Sequence, residues 1–427
     1  MSDTGLTAQG VLVWFICAFF FMYEFLLRTV LGTFQFPIMA DLHLSAVQFA
    51  IMSSTVYQIV YGLMQLPVGV IAEKIGLKKT LLLAAVICTV ANLGFSLTQQ
   101  FELALFFRIL MGLGSSFGFI CLLLAVYNWL PGKRFAFFVG VSQFIGTMGP
   151  MLAAGPLNAL SEHHILGWRG LFLSLAVVGG FIAILIFCFV SQNNKTANNF
   201  LVLSRPSSLF TNLRLLMRQK QVWLIGIFSS SVYFSLEYLS ENEGTAFLIS
   251  KGFSSVFSSY LITIAWLGYA IGCPFIGYYS DKLKHRKKIM CFSACLVLIS
   301  LISLIYLPLN KFLILVCFFL LGCGASGQSI GFAIIKEYCL ESYLTVGLAF
   351  NNTMIMIFGA INAPLLGFML DYSSSSSSYT LADYQMNFIV MVAFVFVGVL
   401  ISGVLIKETF CKQVHENTVL TPSSSFH

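Results

Sequence analysis

The chain has 427 residues, of which 58% are hydrophobic and only 9% are charged, and its mean hydropathy is +0.91. A soluble domain carries about 25% charged residues, so this composition excludes an ordinary water-soluble globule and indicates a polytopic membrane protein. The net charge of +7 does not indicate nucleic-acid binding, because the basic residues lie in short loops and form no basic domain.

Twelve apolar segments are long enough to cross a bilayer core of roughly 30 Å as helices. Their apolar runs are continuous, which excludes a transmembrane β-barrel with alternating strands. The first segment follows an N-terminus without basic residues and is too long for a signal peptide, so we expect it to be retained. The segments are 11–40, 46–72, 79–98, 101–129, 135–160, 168–191, 221–249, 255–280, 288–308, 311–340, 344–370 and 385–406.

Basic residues are concentrated on one side of these segments. Of the 23 Lys and Arg residues, 17 fall in loops on the side that carries both termini, three fall within segments, and three (Arg169, Lys251 and Lys311) fall on the other side. We call these the basic side and the opposite side. Because cytoplasmic loops carry an excess of Lys and Arg, we predict that the basic side and both termini are cytoplasmic.

A polar stretch between the sixth and seventh segments divides the chain into two halves. The predicted organisation is an N-terminal six-helix bundle at 1–191, a cytoplasmic linker at 192–220, a C-terminal six-helix bundle at 221–410 and a cytoplasmic tail at 411–427.

Motifs of soluble enzymes are absent from the sequence. It has no Walker loop, its six histidines lack metal-ligand spacing, and its eleven cysteines form no Cys-x-x-Cys pair. We therefore predict neither an enzyme nor a metal nor a cofactor, and ATP cannot be the direct energy source of this chain.

The two halves repeat each other. The loop after the second segment contains Glu73 in a basic stretch, and the loop after the eighth contains Asp281 in another, 208 positions later (73 to 281). The Gly-x-Gly of residues 112–114 recurs at 322–324, 210 positions later (112 to 322). Two repeats at nearly one offset indicate an internal duplication.

These residues resemble the major facilitator superfamily. Residues 69–79 match its loop signature Gly-x-x-x-Asp-Arg-x-Gly-x-Arg/Lys-Arg/Lys, with Glu73 in place of Asp and Lys74 in place of Arg, and the second copy keeps Asp281 but lacks the inner Gly. Two shorter matches, to the family's motifs on helices 4 and 6, lie at residues 108–114 and 167–170.

The resemblance implies an all-α membrane protein with twelve transmembrane helices in two pseudo-symmetric six-helix bundles. It also implies a monomer in the bacterial inner membrane that binds a small-molecule substrate and protons and works by alternating access. The acid–base loops would bind the other half when the transporter is open to the outside and release it when the transporter opens inward. The gating residues implied are Glu73, Lys74, Lys78, Asp281, Lys282 and Arg286.

Four charged residues inside the segments are candidates for the transport site, because a charge at mid-bilayer is costly. Glu24 and Arg28 lie one turn apart on helix 1, and Glu237 and Glu241 repeat the spacing 213 positions later (24 to 237 and 28 to 241). Pseudo-symmetry therefore places the pairs at corresponding positions around the cavity. A carboxylate without a cation there can carry a proton, so Glu237, Glu241 and Glu24 are the predicted coupling residues; the structural alternative is an ion pair between Glu24 and Arg28 within helix 1.

Other polar and aromatic residues recur on the predicted cavity helices. Arg108 has a structural alternative, in which it ties helices together, and Glu243, beside a helix bend at Gly244, is a candidate outer-gate residue. The remaining predicted substrate-binding residues are Tyr23, Gln58, Tyr61, Gln143, Tyr233, Trp266, Asn351 and Asn352.

We predict that the chain imports a small polar nutrient, an amino acid or short peptide, by proton symport. Residues 23–28 and 64–69 resemble family members that include the phagosomal nutrient transporters of intracellular bacteria. The alternatives are import of an organic anion or carboxylate siderophore held by Arg28 and Arg108, drug export, and a nutrient sensor that has kept the fold.

Overall fold

The computed structural model describes residues 7–130, 135–162, 165, 167–190, 213–339, 344–374 and 379–414, and within them it is helical without strands. Every predicted segment is present as a helix or a broken helix. In chain order these are α1 (Ala8–Thr33), α2 (Ala46–Ala50, Ile51–Thr55 and Val56–Ile75), α3 (Leu77–Leu97), α4 (Phe101–Ser115 and Gly118–Trp129), α5 (Phe135–Ala153 and Gly155–Glu162), α6 (Trp168–Phe189), α7 (Lys220–Glu241 and Gly244–Ser250), α8 (Ser255–Leu283), α9 (Arg286–Tyr306), α10 (Lys311–Ala325 and Gln328–Tyr338), α11 (Leu344–Ser373) and α12 (Leu381–Asn387, Ile389–Leu400 and Ile401–Leu405).

Length and hydropathy agree with a membrane protein. Among the described residues, ten helices are long and apolar enough to cross a membrane, and an eleventh is added if one sharply bent helix pair is a single span. The fifth predicted segment is present as the two helices of α5, which are not among these ten or eleven spans.

The first predicted segment, 11–40, is wrong at its end. Helix α1 stops at Thr33, and a separate short helix, Gln35–Leu42, makes an angle of 116° with the start of α2. His43 closes the short helix with φ at 52°, in the left-handed region. Hydropathy gave no signal of this break because the apolar run continues through it.

The two bundles meet along three helix pairs. Within the N-terminal half α3 packs on α4 and α6, and within the C-terminal half α10 packs on α8 and α9. Between the halves, α2 packs against α11, α5 against α8, and α1 against α7. This arrangement places α1 and α7 face to face, as the repeat predicts.

Hydrogen bonds between the halves are concentrated on the opposite side. There the Gly155 N–H donates to Thr263 Oγ1 at 2.9 Å, and the Val47 N–H donates to Asp371 Oδ2 at 3.2 Å. Toward the basic side, the last hydrogen bond between two described residues of different halves runs from Asn352 to Gln65, at 3.1 Å. The molecule is therefore closed on the opposite side.

One turn of α2, Ile51–Thr55, is a π-helix. It turns the carbonyls of Met52 and Ser53 toward Arg108 on α4. Its last residue, Thr55, donates from Oγ1 to the Ala360 carbonyl of the other half at 2.7 Å. This wider turn thus places backbone acceptors on one side and hydroxyl donors on the other.

The chain after α12 folds back onto the basic side. Glu408 accepts hydrogen bonds from the backbone N–H groups of Arg286 and Lys287, at 2.9 and 3.0 Å, and so caps the N-terminus of α9. The N–H of Val414 donates to the Glu337 carbonyl at 2.9 Å. The described part of the tail is therefore bonded to the C-terminal half.

Candidate functional site

Arg28 joins the two halves at the centre of the molecule. From α1 its Nε donates to Glu241 Oε1 on α7 at 2.9 Å, and its Nη2 forms an ion pair with Glu237 on the same helix. Arg28 is 6% exposed, Glu241 is 1% exposed and Glu237 is 2% exposed. We call Arg28, Glu237 and Glu241 the central cluster. Its ion pairs cross between the halves, so the alternative of an Arg28–Glu24 pair within helix 1 is not the arrangement found.

Glu241 is also bonded to α2. Its second oxygen, Oε2, accepts from Gln58 Nε2 at 2.8 Å and from Ser54 Oγ at 3.2 Å. The next residue, Asn242, donates to Ser54 Oγ at 2.9 Å. Glu241 thus holds donors from two helices of the N-terminal half, and one acidic side chain on α7 ties the halves together. Ser54 and Asn242 were not predicted. The signal for Ser54 was the run of hydroxyl residues at 53–55, and that for Asn242 was its place in the polar run at 240–243.

Glu24 lies one turn before Arg28 and is 2% exposed. Its Oε2 is 3.4 Å from the hydroxyl of Tyr57, whose ring stacks on Tyr61 with centroids 6.2 Å apart. Among the described residues no Lys or Arg nitrogen lies within 4 Å of its carboxylate. Glu24 is therefore an acid with a hydroxyl neighbour but no paired cation.

Arg108 is committed to the backbone of its own half. It is fully buried and donates to the carbonyls of Leu27, Arg28, Met52 and Ser53 at 2.7 to 3.2 Å. All three of its nitrogens are used in these bonds, which leaves no free pair of N–H donors for a substrate carboxylate. The structure therefore corrects the prediction that Arg108 clamps a substrate and favours its structural role.

An aromatic wall adjoins the central cluster. The Arg28 guanidinium carbon is 5.4 Å from the Phe25 ring centroid and 5.8 Å from that of Tyr233. Trp266 packs edge-on against Phe25, 5.2 Å between centroids, and against Tyr269 at 5.6 Å. Tyr233 therefore lies beside Arg28, and Trp266 lies against Phe25, which was not singled out and which completes the wall from the N-terminal half.

Tyr23 faces away from this wall. Its hydroxyl donates to the Leu175 carbonyl at 2.8 Å and accepts from Asn92 at 3.1 Å, so its ring lies between α3 and α6. The structure corrects the prediction that Tyr23 lines the cavity. No described hydrogen bond links the half-buried side chain of Gln143 to the central cluster.

The two asparagines of α11 differ in their environment. Asn352 donates to Gln65 Oε1 across the halves, whereas Asn351 is fully buried and neither polar atom of its side chain has a hydrogen-bond partner among the residues that the structure describes. An amide buried in this way is costly unless something pairs with it. Asn351 therefore stays a candidate for contact with a substrate or water.

The gating residues that the structure describes pair within their own halves. Arg286 binds Asp281 at 2.6 Å and Glu337 at 2.9 Å. Lys282 lies over the ring of Tyr278, and Lys78 lies over that of Phe187. The side chains of Glu73 and Lys74 lie outside the described residues. Within the described part of the chain, neither Asp281 nor Arg286 bonds to the other half, which agrees with closure on the opposite side.

Comparison with known proteins places this geometry in a family. The sequence matches the model of the Major Facilitator Superfamily over residues 13–327 and 245–416. The "Hexuronate transporter" of Bacillus subtilis is 25% identical over 356 residues, which cover 79% of this chain and 82% of that protein. The "Probable L-galactonate transporter" of Escherichia coli is 28% identical over 166 residues, 38% of this chain and 35% of that protein.

Solved structures share the fold. A bacterial homologue of the human lysosomal transporter Spinster, inward-facing and unoccupied, has a TM-score of 0.74 at 14% identity and covers 95% of this chain and 97% of its own. The nucleoside transporter NupG has a TM-score of 0.75 at 13% identity, with 94% of this chain and 100% of its own covered.

Proposed function

Because the chain belongs to the major facilitator superfamily, and is thus a multi-pass secondary transporter rather than an enzyme, we propose that it imports an amino acid or short peptide by proton symport. The observation that carries the proposal is Arg28 held between Glu237 and Glu241 across the two halves. We place it in a bacterial inner membrane as a monomer, with the basic side cytoplasmic. The predicted division into 1–191, 192–220, 221–410 and 411–427 is part of the proposal.

Charge balance at the centre couples the proton to the substrate. Arg108 is committed to carbonyls, so Arg28 is the guanidinium of the cluster that is available to a substrate carboxylate. A proton on Glu237 or Glu241 removes one competitor for Arg28, and a substrate carboxylate then takes its place in the bidentate geometry that guanidinium favours. Loss of that proton to the basic side returns Arg28 to its acids and releases the substrate.

Glu24 supplies a second group for substrate recognition. It lies four residues before Arg28 on one helix, a rise of about 6 Å, and has no paired cation within 4 Å among the described residues. A substrate that carries an ammonium group as well as a carboxylate satisfies both residues at once. The wall of Phe25, Tyr233 and Trp266 lies beside Arg28 and suits an apolar side chain.

A sugar acid is the second candidate, and the relatives named for hexuronate and L-galactonate favour it. Such a substrate also needs Arg28 freed by a proton, but it has no ammonium for Glu24. The variant Glu24→Gln therefore separates the two: it should abolish transport of a zwitterion and leave transport of a sugar acid largely intact.

The test is uptake into proteoliposomes under an inward proton gradient, with labelled amino acids, dipeptides, hexuronates, galactonate and nucleosides. We expect accumulation of a zwitterion that collapses with a protonophore, since one proton moving down 100 mV supplies about 2.3 kcal/mol. Glu241→Gln should lose this accumulation but keep exchange of labelled for unlabelled substrate.

The matched control is Glu102→Gln, an exposed acid in the first turn of α4, which should behave as wild type. Accumulation that survives both the protonophore and Glu241→Gln would refute proton coupling through the central cluster. Accumulation of sugar acids alone would refute the amino-acid assignment.

A further inference from the structure

Another buried acid lies at the closure between the halves on the opposite side. Glu243 occupies the break between the two helices of α7 and is 2% exposed. Its Oε1 accepts from Gln35 Nε2 at 2.5 Å, and its Oε2 accepts from the Tyr384 hydroxyl at 2.9 Å. Gln35 belongs to the short helix of the N-terminal half, so this contact bridges the halves. We call Gln35, Glu243 and Tyr384 the outer latch.

The groups around Glu243 offer no compensating positive charge. Among the described residues no Lys or Arg nitrogen lies within 4 Å of its carboxylate. The titratable groups that face it are Asp371 on α11, Tyr238 on α7, Tyr379 just before α12 and Tyr384 in its first helix. Burial of an ionised carboxylate without a cation is strongly unfavourable, and a second carboxylate nearby makes it more so.

A protonated carboxyl fits the same geometry. A tyrosine hydroxyl accepts as well as donates, so neutral Glu243 keeps both of its contacts by donating its proton to Tyr384. The latch also contains Gln35 Oε1, a buried polar atom without a hydrogen-bond partner among the described residues. If the Gln35 amide rotates, protonated Glu243 donates to that oxygen instead of to Tyr384.

We propose that Glu243 is a proton-binding site that locks the transporter on its opposite side: the outer latch closes with Glu243 protonated and opens when Glu243 ionises. Opening separates Gln35 from Glu243 and lets water solvate the carboxylate. Closure removes that water, so each closing event takes up one proton from the opposite side. The lock is separate from the central cluster and rests neither on the proposed substrate nor on proton coupling through Arg28.

Hydrogen–deuterium exchange of the full-length protein in detergent tests the lock without substrate. The readout is amide protection of residues 35–42 and 244–250 over roughly pH 5–9, corrected for the intrinsic pH dependence of exchange. In wild type, protection should fall as the pH rises, by at most about tenfold per pH unit for a single proton. In Glu243→Gln, which is neutral at every pH, protection should stay high and flat.

A second variant makes the result independent of how well Glu243→Gln folds. Tyr384→Phe removes a hydroxyl that bonds to both forms of Glu243, but its bond to the ionised carboxylate is the stronger one, so protection should fall at a higher pH than in wild type. The matched control is Glu102→Gln, which should follow wild type. Wild-type protection that does not change with pH, or the same pH dependence in Glu243→Gln as in wild type, would overturn the proposal.

Glu241→Gln removes an ion pair between the halves and should lower protection at every pH, but it leaves the three residues of the latch unchanged. It should therefore keep the wild-type shape of the pH dependence of exchange even where it abolishes proton-driven uptake. Failure of the proposed transport mechanism and failure of the lock are thus distinguished. A Glu241→Gln variant with flat protection would assign the pH dependence to the central cluster and overturn the role of Glu243.

Discussion

Gly32 on α1 lies against the backbone of α7, and the variant Gly32→Ala should open the molecule on its opposite side. A Cβ added at Gly32 would be 2.7 Å from the carbonyl carbon of Glu241 and 2.9 Å from its Cα, closer than such atoms approach in proteins. The obstructing atoms are backbone and belong to the other half, so they cannot move aside without separating the halves. We expect this contact to be relieved when α1 and α7 separate on that side.

The cost of the methyl group therefore falls on the closed state. Overpacking of this kind costs about 1–3 kcal/mol, which moves the balance between closed and open states by roughly 5- to 150-fold. We expect faster amide exchange in residues 35–42 and 244–250 and slower uptake of substrate, with the fold retained.

Gly140→Ala is the matched control, because nothing lies within 4 Å of a Cβ at that position. If Gly32→Ala and Gly140→Ala show the same exchange and the same uptake, the close approach of α1 to α7 does not limit the conformational balance and the reasoning is refuted.

Two further variants test structural roles. Arg108→Lys should lower the thermal unfolding midpoint, by the equivalent of at least about 2 kcal/mol, because an ammonium group cannot replace hydrogen bonds to four carbonyls. The control is Arg214→Lys, at an exposed position. Equal midpoints for the two variants would contradict the structural role of Arg108. Glu408→Ala removes the cap of α9 and should lower the stability of that helix end by about 1 kcal/mol. This should be seen as roughly fivefold faster amide exchange in the first turn of α9. Lys412→Ala is the control, and unchanged exchange in Glu408→Ala would show that Glu408 does not cap α9.

The positions of the two charged pairs could be predicted because they depend only on helical spacing and on the internal repeat. Glu24, Arg28, Glu237 and Glu241 repeat at one offset, and duplicated halves bring residues at equal positions face to face. Which acid pairs with Arg28 could not be predicted, since that choice depends on the rotation of α1 and α7 about their axes. The sequence shows only that each pair shares a helix face.

Tyr23 shows why the direction of the side chains on α1 could not be predicted. This helix is apolar almost all round, and 18 of its 26 residues are buried, so hydropathy does not reveal which face meets the cavity. Two positions along a helix are rotated by about 200°, which is why Phe25 faces the centre and Tyr23 does not. The polar partner of Tyr23, Asn92, is distant in sequence and carries no signal that links the two.

The π-turn at Ile51–Thr55 bears on how related sequences should be aligned. A π-turn accommodates one residue more than an α-turn. Removing that residue would restore a regular α-helix and rotate the rest of α2 by about 100°. Gln58, Thr55 and Gln65 would then no longer point at the C-terminal half, although each would still be present in the sequence. A relative with a one-residue gap in this stretch is therefore expected to have lost the contact of α2 with the C-terminal half, however similar the residues on either side remain.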